Sequence, residues 1–359
     1  MLHLNAPAGQ PGPTHALRGE KEKARPARGR IPGNMRSRSH PPDWRSSGAH
    51  PRDVGAIGAF AWDSGGLDAL CWGGEEKVMG LHRDGDDTPR ALPPRGTDLD
   101  RPNPARIYDY ALGGDANFTA DRAAFDALSA VYPDIAPGAR ANRAFLRRAV
   151  TFLAQAGIDQ FLDIGAGLPT LGNVHTLAQT MNPLARVVYV DNDPVAVRYS
   201  RQLLDRDKVP HAAAIEADLR DPAAILAHPR ARRLLDLSRP IALILAAVLH
   251  FIPDDDEAAL GAVRDLTAAL PAGSYLVISH GTYDGAASET LAQLARLYAA
   301  TTHPLGIRSR AQLARFFDGF ELVSPGIVFT PAWRPDGSPS PFTDEPERAA
   351  VLAGVGHKP

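Results

Sequence analysis

The chain has 359 residues, 44% hydrophobic and 22% charged, with a formal net charge of -2. That is enough apolar matter for one large domain or two small ones, with no excess charge calling for nucleic acid or a membrane surface as partner. Cys71 is the only cysteine, which excludes an intrachain disulfide and a cysteine-built zinc site and fits a reducing cytoplasm. No apolar run approaches the roughly 20 residues of a membrane span, and the N-terminus lacks the charged-then-apolar pattern of a secretion signal.

Residues 1–100 differ from the rest. The first 60 carry 10 Lys/Arg against 4 Asp/Glu, mixed with Pro, Gly and Ser. Arg25-Pro26-Ala27-Arg28-Gly29-Arg30 has no periodic apolar face and cannot bury enough to offset chain entropy. The segment reads as a disordered basic extension without the aromatic–basic pattern of a nucleic-acid arm. Order is expected from Arg101, with a domain over 101–341 and a tail over 342–359.

Phe145, Leu146, Ala149, Val150, Phe152, Leu153 and Ala156 fall on one face of a helix over 142–156. The strand Phe161–Ile164 follows, then Gly165-Ala166-Gly167 and a helix opening near Pro169. A strand at 187–190 ends in Asp191, and a helix covers 194–206. Ala213–Ala217 is a strand ending at Asp218, and Asp221-Pro222 supplies an N-cap and a first-turn proline. Ile241–Leu249 is a continuous apolar run, as in a strand buried on both faces. Asp254–Asp256 open a helix, Ser274–Ser279 is another strand, and Ser309 and Gln312 have capping-box spacing. Phe320–Val323 and Ile327–Thr330, around Ser324-Pro325-Gly326, read as a C-terminal hairpin. The alternation predicts an α/β fold: a doubly wound, mostly parallel sheet with an antiparallel member.

Ligands of such sheets bind outside the carboxyl ends of the strands. The residues there are Asp163, Gly165, Gly167, Asp191, Asp218, His250 and His280. A Gly turn with a carboxylate 26 residues beyond Gly165 suits a nucleotide-like cofactor, the carboxylate meeting ribose hydroxyls. A dinucleotide fingerprint needs a third glycine where Thr170 stands. Asp163 would repel a pyrophosphate but pair with a cationic ligand. S-adenosylmethionine (SAM), with an ammonium, a sulfonium and no phosphate, therefore fits better than NAD. Asp191 is assigned to the ribose, against an Asx turn before Pro194, and Asp218 to the adenine amino group, against a capping role. Ala166, Asn192 and Leu219 adjoin them and complete the set around the strand ends.

The blocks Arg106-Ile107-Tyr108-Asp109-Tyr110-Ala111-Leu112-Gly113-Gly114, Asn117-Phe118, Ala141–Leu146, Phe161–Gly172 with Asn173-Val174-His175, Val188–Pro194, Ala217–Pro222, Val248–Asp256 and Phe316–Glu321 resemble the S-adenosyl methyltransferase family long catalogued as a domain of unknown function. The likeness runs over about 101–336. It implies a class I SAM-methyltransferase (Rossmann-like) fold with SAM as cofactor. It also implies that the segment with Tyr108, Tyr110, Gly113 and Gly114 folds back across the pocket, as a helical lid in which Tyr110 and Gly114 would touch the cofactor, against plain aromatic packing on the sheet edge.

The acceptor is approached by exclusion. Cytosine C5 methylation needs a cysteine nucleophile, and Cys71 lies in the extension. The Asp/Asn-Pro-Pro-aromatic motif of base amino methylation is replaced by His250-Phe251-Ile252-Pro253-Asp254. A small-molecule oxygen or nitrogen acceptor is expected, with neutral His250 either as general base or as a strand-end histidine that bonds neighbouring backbone and shapes the pocket, and His280 as the rival base. His175 is assigned to packing, and no residues have metal-ligand spacing. The competing readings are a SAM-binding regulator without turnover and an NAD-dependent oxidoreductase.

Overall fold

A computed structural model describes residues 93–169, 172–252, 256–284 and 288–359. The extension expected over 1–100 lies outside the described residues as far as residue 92, as do Cys71, Asp254 and Asp255.

Three helices lead: α1 (Pro104–Ala111), α2 (Thr119–Val131) and α3 (Ile135–Gln155). The alternating part follows as β1 (Gln160–Ile164), α4 (Val174–Met181), β2 (Arg186–Asp191), α5 (Pro194–Arg206), β3 (Ala212–Glu216), α6 (Pro222–Ala227), α7 (Pro229–Leu234), β4 (Ala242–Ala246), α8 (Asp256–Ala268) and β5 (Tyr275–Gly281). Then come α9 (Ser288–Ala299), α10 (Arg310–Ala314), β6 (Glu321–Leu322), β7 (Val328–Phe329) and β8 (Val351–His357). The sheet order is β3-β2-β1-β4-β5-β8-β6, with β7 also on β8. Strands β1 to β5 are mutually parallel, and β8 runs antiparallel to β5.

Two apolar faces hold the sheet. Leu162, Ile164, Val190, Leu243, Leu245 and Ile278 point to one side, against Leu260, Val263, Leu266 and Phe317. Phe161, Val187, Ala242, Ile244 and Val277 point to the other, against Phe145, Leu146, Ala149 and Leu153 of α3. Their period of two with both sets buried is what a central parallel strand requires. Burying each Leu, Ile or Phe contributes about 1.5–3 kcal/mol, so these layers outweigh exposed ion pairs at about 0–1 kcal/mol each.

Local signals set the helix starts. Asp193 accepts from Val195 N before Pro194, Asp221 caps the helix opened by Pro222, and Ser309 and Gln312 form the expected capping box. Three expectations are corrected. The helix after the Gly turn begins at Val174, not near Pro169. The two short strands do not pair as a hairpin: β6 and β7 both lie along β8, interrupted by Ser324-Pro325-Gly326. Finally, residues 342–359 are no tail, because they contain β8, an inner strand. Its glycines, a weak strand signal, make room for aromatics: a Cβ on Gly356 would meet Phe317 and Phe320 at 2.9 Å.

The N-terminal helices are tied down by buried polar groups. Asp121 accepts from Asn103 N at 2.8 Å and Phe118 N at 2.9 Å. Asp109 accepts from Ala116 N and the Asn117 side chain at 2.9 Å. The Arg106 guanidinium, 2% exposed, sits 3.6 Å from both Asp121 and Asp193. It thereby joins α1 to α2 and to the cap of α5.

Candidate active site

The chain runs outward from β1 through β2 to β3 and then crosses back to β4. A crevice opens at such a reversal. A cavity of about 280 Å³ lies there, lined by the ends of β1, β2 and β4 and roofed by α1, α3 and α9.

Gly165 closes β1 with φ +70°, a conformation that disfavours a side chain. Its N–H and that of Ala166 donate to Val190 O at 2.8 and 3.1 Å. A Cβ on Gly165 would stand 2.2 Å from Val248 Cγ2, so the position has no room for one. Gly167, at φ +64°, donates to Asp191 Oδ2 at 2.8 Å, and Asp193 N donates to Asp191 Oδ1 at 2.9 Å. The Asx turn and the cavity-wall carboxylate are thus properties of the same residue, each oxygen keeping a second acceptor site.

Asp163 is 4% exposed and accepts no hydrogen bond from the described residues. Burial pushes its carboxyl up to about 7, opposed by Arg143 and reinforced by Asp191. Burial likewise pushes Asp191 up to about 6, against the hydrogen bonds from Asp193 and Gly167. Asp218 is held below the usual range by its hydrogen bonds with Arg220. Among the described lining residues this acid-rich end holds two arginines: Arg220 is spent on Asp218, and Arg143 donates to Leu168 O, lies over the Tyr108 ring and sets its charge against Asp163. The donors therefore fit a cation-bearing, phosphate-free cofactor and disfavour NAD.

Asp163, Gly165, Ala166, Gly167, Asp191, Asn192, Asp218, Leu219 and His250 all line the cavity. Tyr110 and Gly114 do not. Tyr110 packs edge-on to Phe125 with centroids 5.2 Å apart. Gly113 and Gly114 end α1, donating to Tyr110 O and Asp109 O. Tyr108 takes the wall position, its hydroxyl donating to Ala139 O and accepting from the Asn142 side chain.

His250 sits in a 3₁₀ turn, Leu249–Phe251, just past β4. Its Nδ1 accepts from Gly281 N at 3.3 Å, so in the neutral ring Nε2 carries the proton. Nε2 has no hydrogen-bond partner among the described residues. Burial, with His280 and Arg308 nearby, pushes the ring well below its ordinary pKa and keeps it neutral. A neutral ring in this tautomer offers the cavity an N–H donor and keeps its lone pair on the Gly281 amide, as in the pocket-shaping reading of His250. His280 is no rival: Nδ1 donates to Gly281 O at 2.6 Å and Nε2 accepts from Arg308 at 2.8 Å. His175 bonds the Tyr189 hydroxyl at 2.8 Å in the core, as packing required.

Sequence reasoning passed over Arg143, His303 and Arg308. His303, from the loop after α9, bonds Asn192 at 3.2 Å and lines the cavity. Arg308, 3% exposed, donates to Leu249 O and Ile252 O and so braces both ends of the 3₁₀ turn. Neither has a local signature, since each matters through partners more than 50 residues away in the chain. Among the described residues no group of three or more His, Cys, Asp or Glu could hold a metal ion, and no helix is long and apolar enough to cross a membrane.

The sequence profile of the S-adenosyl methyltransferase family matches residues 90–359. A DUF574 family protein from Streptomyces avermitilis MA-4680 is 44% identical, over 73% of this chain and 99% of its own, with a TM-score of 0.68. A protein from Thermobifida fusca YX, described as a proposed methyltransferase, is 43% identical over 74% of this chain and 98% of its own, with a TM-score of 0.67. No curated protein matches the chain. With this match and a site suited to a cationic cofactor, the chain belongs to the S-adenosyl methyltransferase family and is a SAM-dependent methyltransferase.

Proposed function

We propose that the enzyme methylates an oxygen or nitrogen of a small molecule. The observation that carries this reading is that one cavity joins a carboxylate-rich end to an end walled by apolar side chains. Asp163 would face the cationic groups of the cofactor, Asp191 its ribose hydroxyls, and Asp218 with Leu219 its base. Gly165, Ala166, Gly167 and Asn192 would form the floor. Of the two lid tyrosines, Tyr108 rather than Tyr110 would face the cofactor. When bound, SAM supplies an electrophilic methyl on sulfur: the S–CH₃ bond breaks as the O–CH₃ or N–CH₃ bond forms, leaving S-adenosylhomocysteine (SAH). The proton of the acceptor leaves to solvent, because His250 would donate through Nε2–H and orient the acceptor.

Catalysis then rests on alignment, an effect that reaches several kcal/mol without an acid or base. A chain whose only cysteine is Cys71 suits a reducing cytoplasm. Calorimetric titration with SAM, SAH and NAD tests the reading, followed by a screen of small-molecule extracts for transfer from labelled SAM. SAM and SAH should bind and NAD should not. NAD binding, or label entering only protein or nucleic acid, would overturn it.

A further inference from the structure

The end of the cavity away from Asp163 and Asp191 differs from the cofactor end in kind. Phe125 of α2, Leu291, Leu294 and Tyr298 of α9, and Leu305 and Ile307 of the following loop wall it. Tyr298 packs against Phe251 with ring centroids 5.9 Å apart. Among the described lining residues the only Lys or Arg side chains are Arg143 and Arg220, beside Asp163 and Asp218 at the cofactor end. Asp134, also in the wall, is matched by Arg348 at 2.9 Å. A carboxylate or phosphate entering this end would lose its hydration and meet no cation.

Polar side chains interrupt the apolar wall, among them His250, Thr290 and Tyr298. His250 Nε2–H and the Tyr298 hydroxyl each lack a hydrogen-bond partner among the described residues. Binding sites of this kind, mostly apolar with a few convergent polar groups, orient a ligand by its polar handle and hold it by its body.

We infer that the acceptor is an uncharged, ring-bearing, largely apolar molecule whose single hydroxyl or amine is held by His250 and Tyr298. This inference rests on the methyltransferase reading above. It separates acceptors by charge: a neutral phenol leaves no group unpaired, whereas the same ring bearing a carboxylate buries an uncompensated anion.

The test uses the full chain loaded with SAH and two matched pairs of probes. 2-Naphthol is set against 6-hydroxy-2-naphthoate, and 4-phenylphenol against 4′-hydroxybiphenyl-4-carboxylate, all titrated by calorimetry. The expected result is that the neutral member of each pair binds at least tenfold more tightly. Leu294→Lys places a cation in the apolar wall. It should reduce or reverse that preference while SAH affinity, measured on the same sample, stays unchanged and reports an intact fold. SAH binding with equal or tighter binding of the carboxylated members, or with no binding of either neutral probe, would overturn the acceptor inference and leave the cofactor reading standing. An unaltered preference in Leu294→Lys with intact SAH binding would also count against it. Failure of SAH itself to bind would remove both.

Discussion

Two groups of buried carboxylates lie within one N-terminal half of the fold, and they are treated differently. Asp109, Asp121 and Asp193 are nearly fully buried and are met by backbone amides, Asn117 and the Arg106 guanidinium. Asp163 and Asp191 face a cavity. Asp191 keeps acceptor capacity beyond its two backbone bonds, and Asp163 accepts none from the described residues. A buried charge supplied with partners by its own chain is architecture. A buried charge left short of them beside an open space awaits a partner from outside. Neither burial nor the count of donors distinguishes the two groups, but the cavity does: Asp163 and Asp191 line it, and Asp109, Asp121 and Asp193 do not.

The largest effect should come from breaking the architectural group. Arg106→Met leaves Asp121 and Asp193 buried without their cation, a loss of about 3–5 kcal/mol, read as a lower denaturation midpoint. A variant that kept its stability and lost only SAM affinity would erase the distinction. Asp191→Ala should weaken SAM by about 2–3 kcal/mol, the range for hydrogen bonds to a charged group, and at least tenfold more than His250→Ala does. Equal losses would mean that His250 belongs to the cofactor end. Asp163→Asn should weaken SAM by roughly 10- to 100-fold while leaving ligand-free stability unchanged or higher, because the replaced carboxylate has no committed donor. A drop in melting temperature would place Asp163 with the structural acids.

The smallest effect is a pH dependence of opposite sign in the two states. Folding raises both cavity acids, Asp163 to about 7 and Asp191 to about 6, above an unfolded value of about 3.9. Their contribution to ligand-free stability is therefore fully present below about pH 4 and is lost as pH rises towards 7. A cationic ligand prefers the ionised forms, so SAM should bind more tightly across the upper part of that same window. Melting curves with and without SAM between pH 5 and 8 should diverge. Parallel curves would show that neither acid meets the ligand's charge.

Much of this was legible in the sequence. The apolar runs that became β1 to β5 each end at or within two residues of the cavity wall, and their limits differ from the structure by a few residues. The acid–Gly turn and Asp191 were readable because a tight turn and a strand-end carboxylate are local. The N-terminal lining was half legible. Pro104, Ile107, Tyr108 and Ala111 share a helical face, and Tyr110, two residues from Tyr108, falls nearly opposite. The tautomer of His250 was not legible, since it depends on the amide of Gly281 from another strand. Strand β8 was missed because Gly354 and Gly356 read as loop until Phe317 is seen against them.

The place of β8 bears on how the chain is made. Strands β6 and β7 pair only with β8, and β5 has β8 as its outer neighbour. On a ribosome, the parallel strands can assemble as they emerge, but β5 then presents an open edge and β6 and β7 have nothing to join until residues 351–357 arrive. Through that interval the nascent chain carries an unprotected edge of the sort that recruits other strands. A message cut short before these codons would yield a chain with its cofactor-facing motifs nearly complete and its sheet unfinished, a species for chaperones and proteases rather than for catalysis.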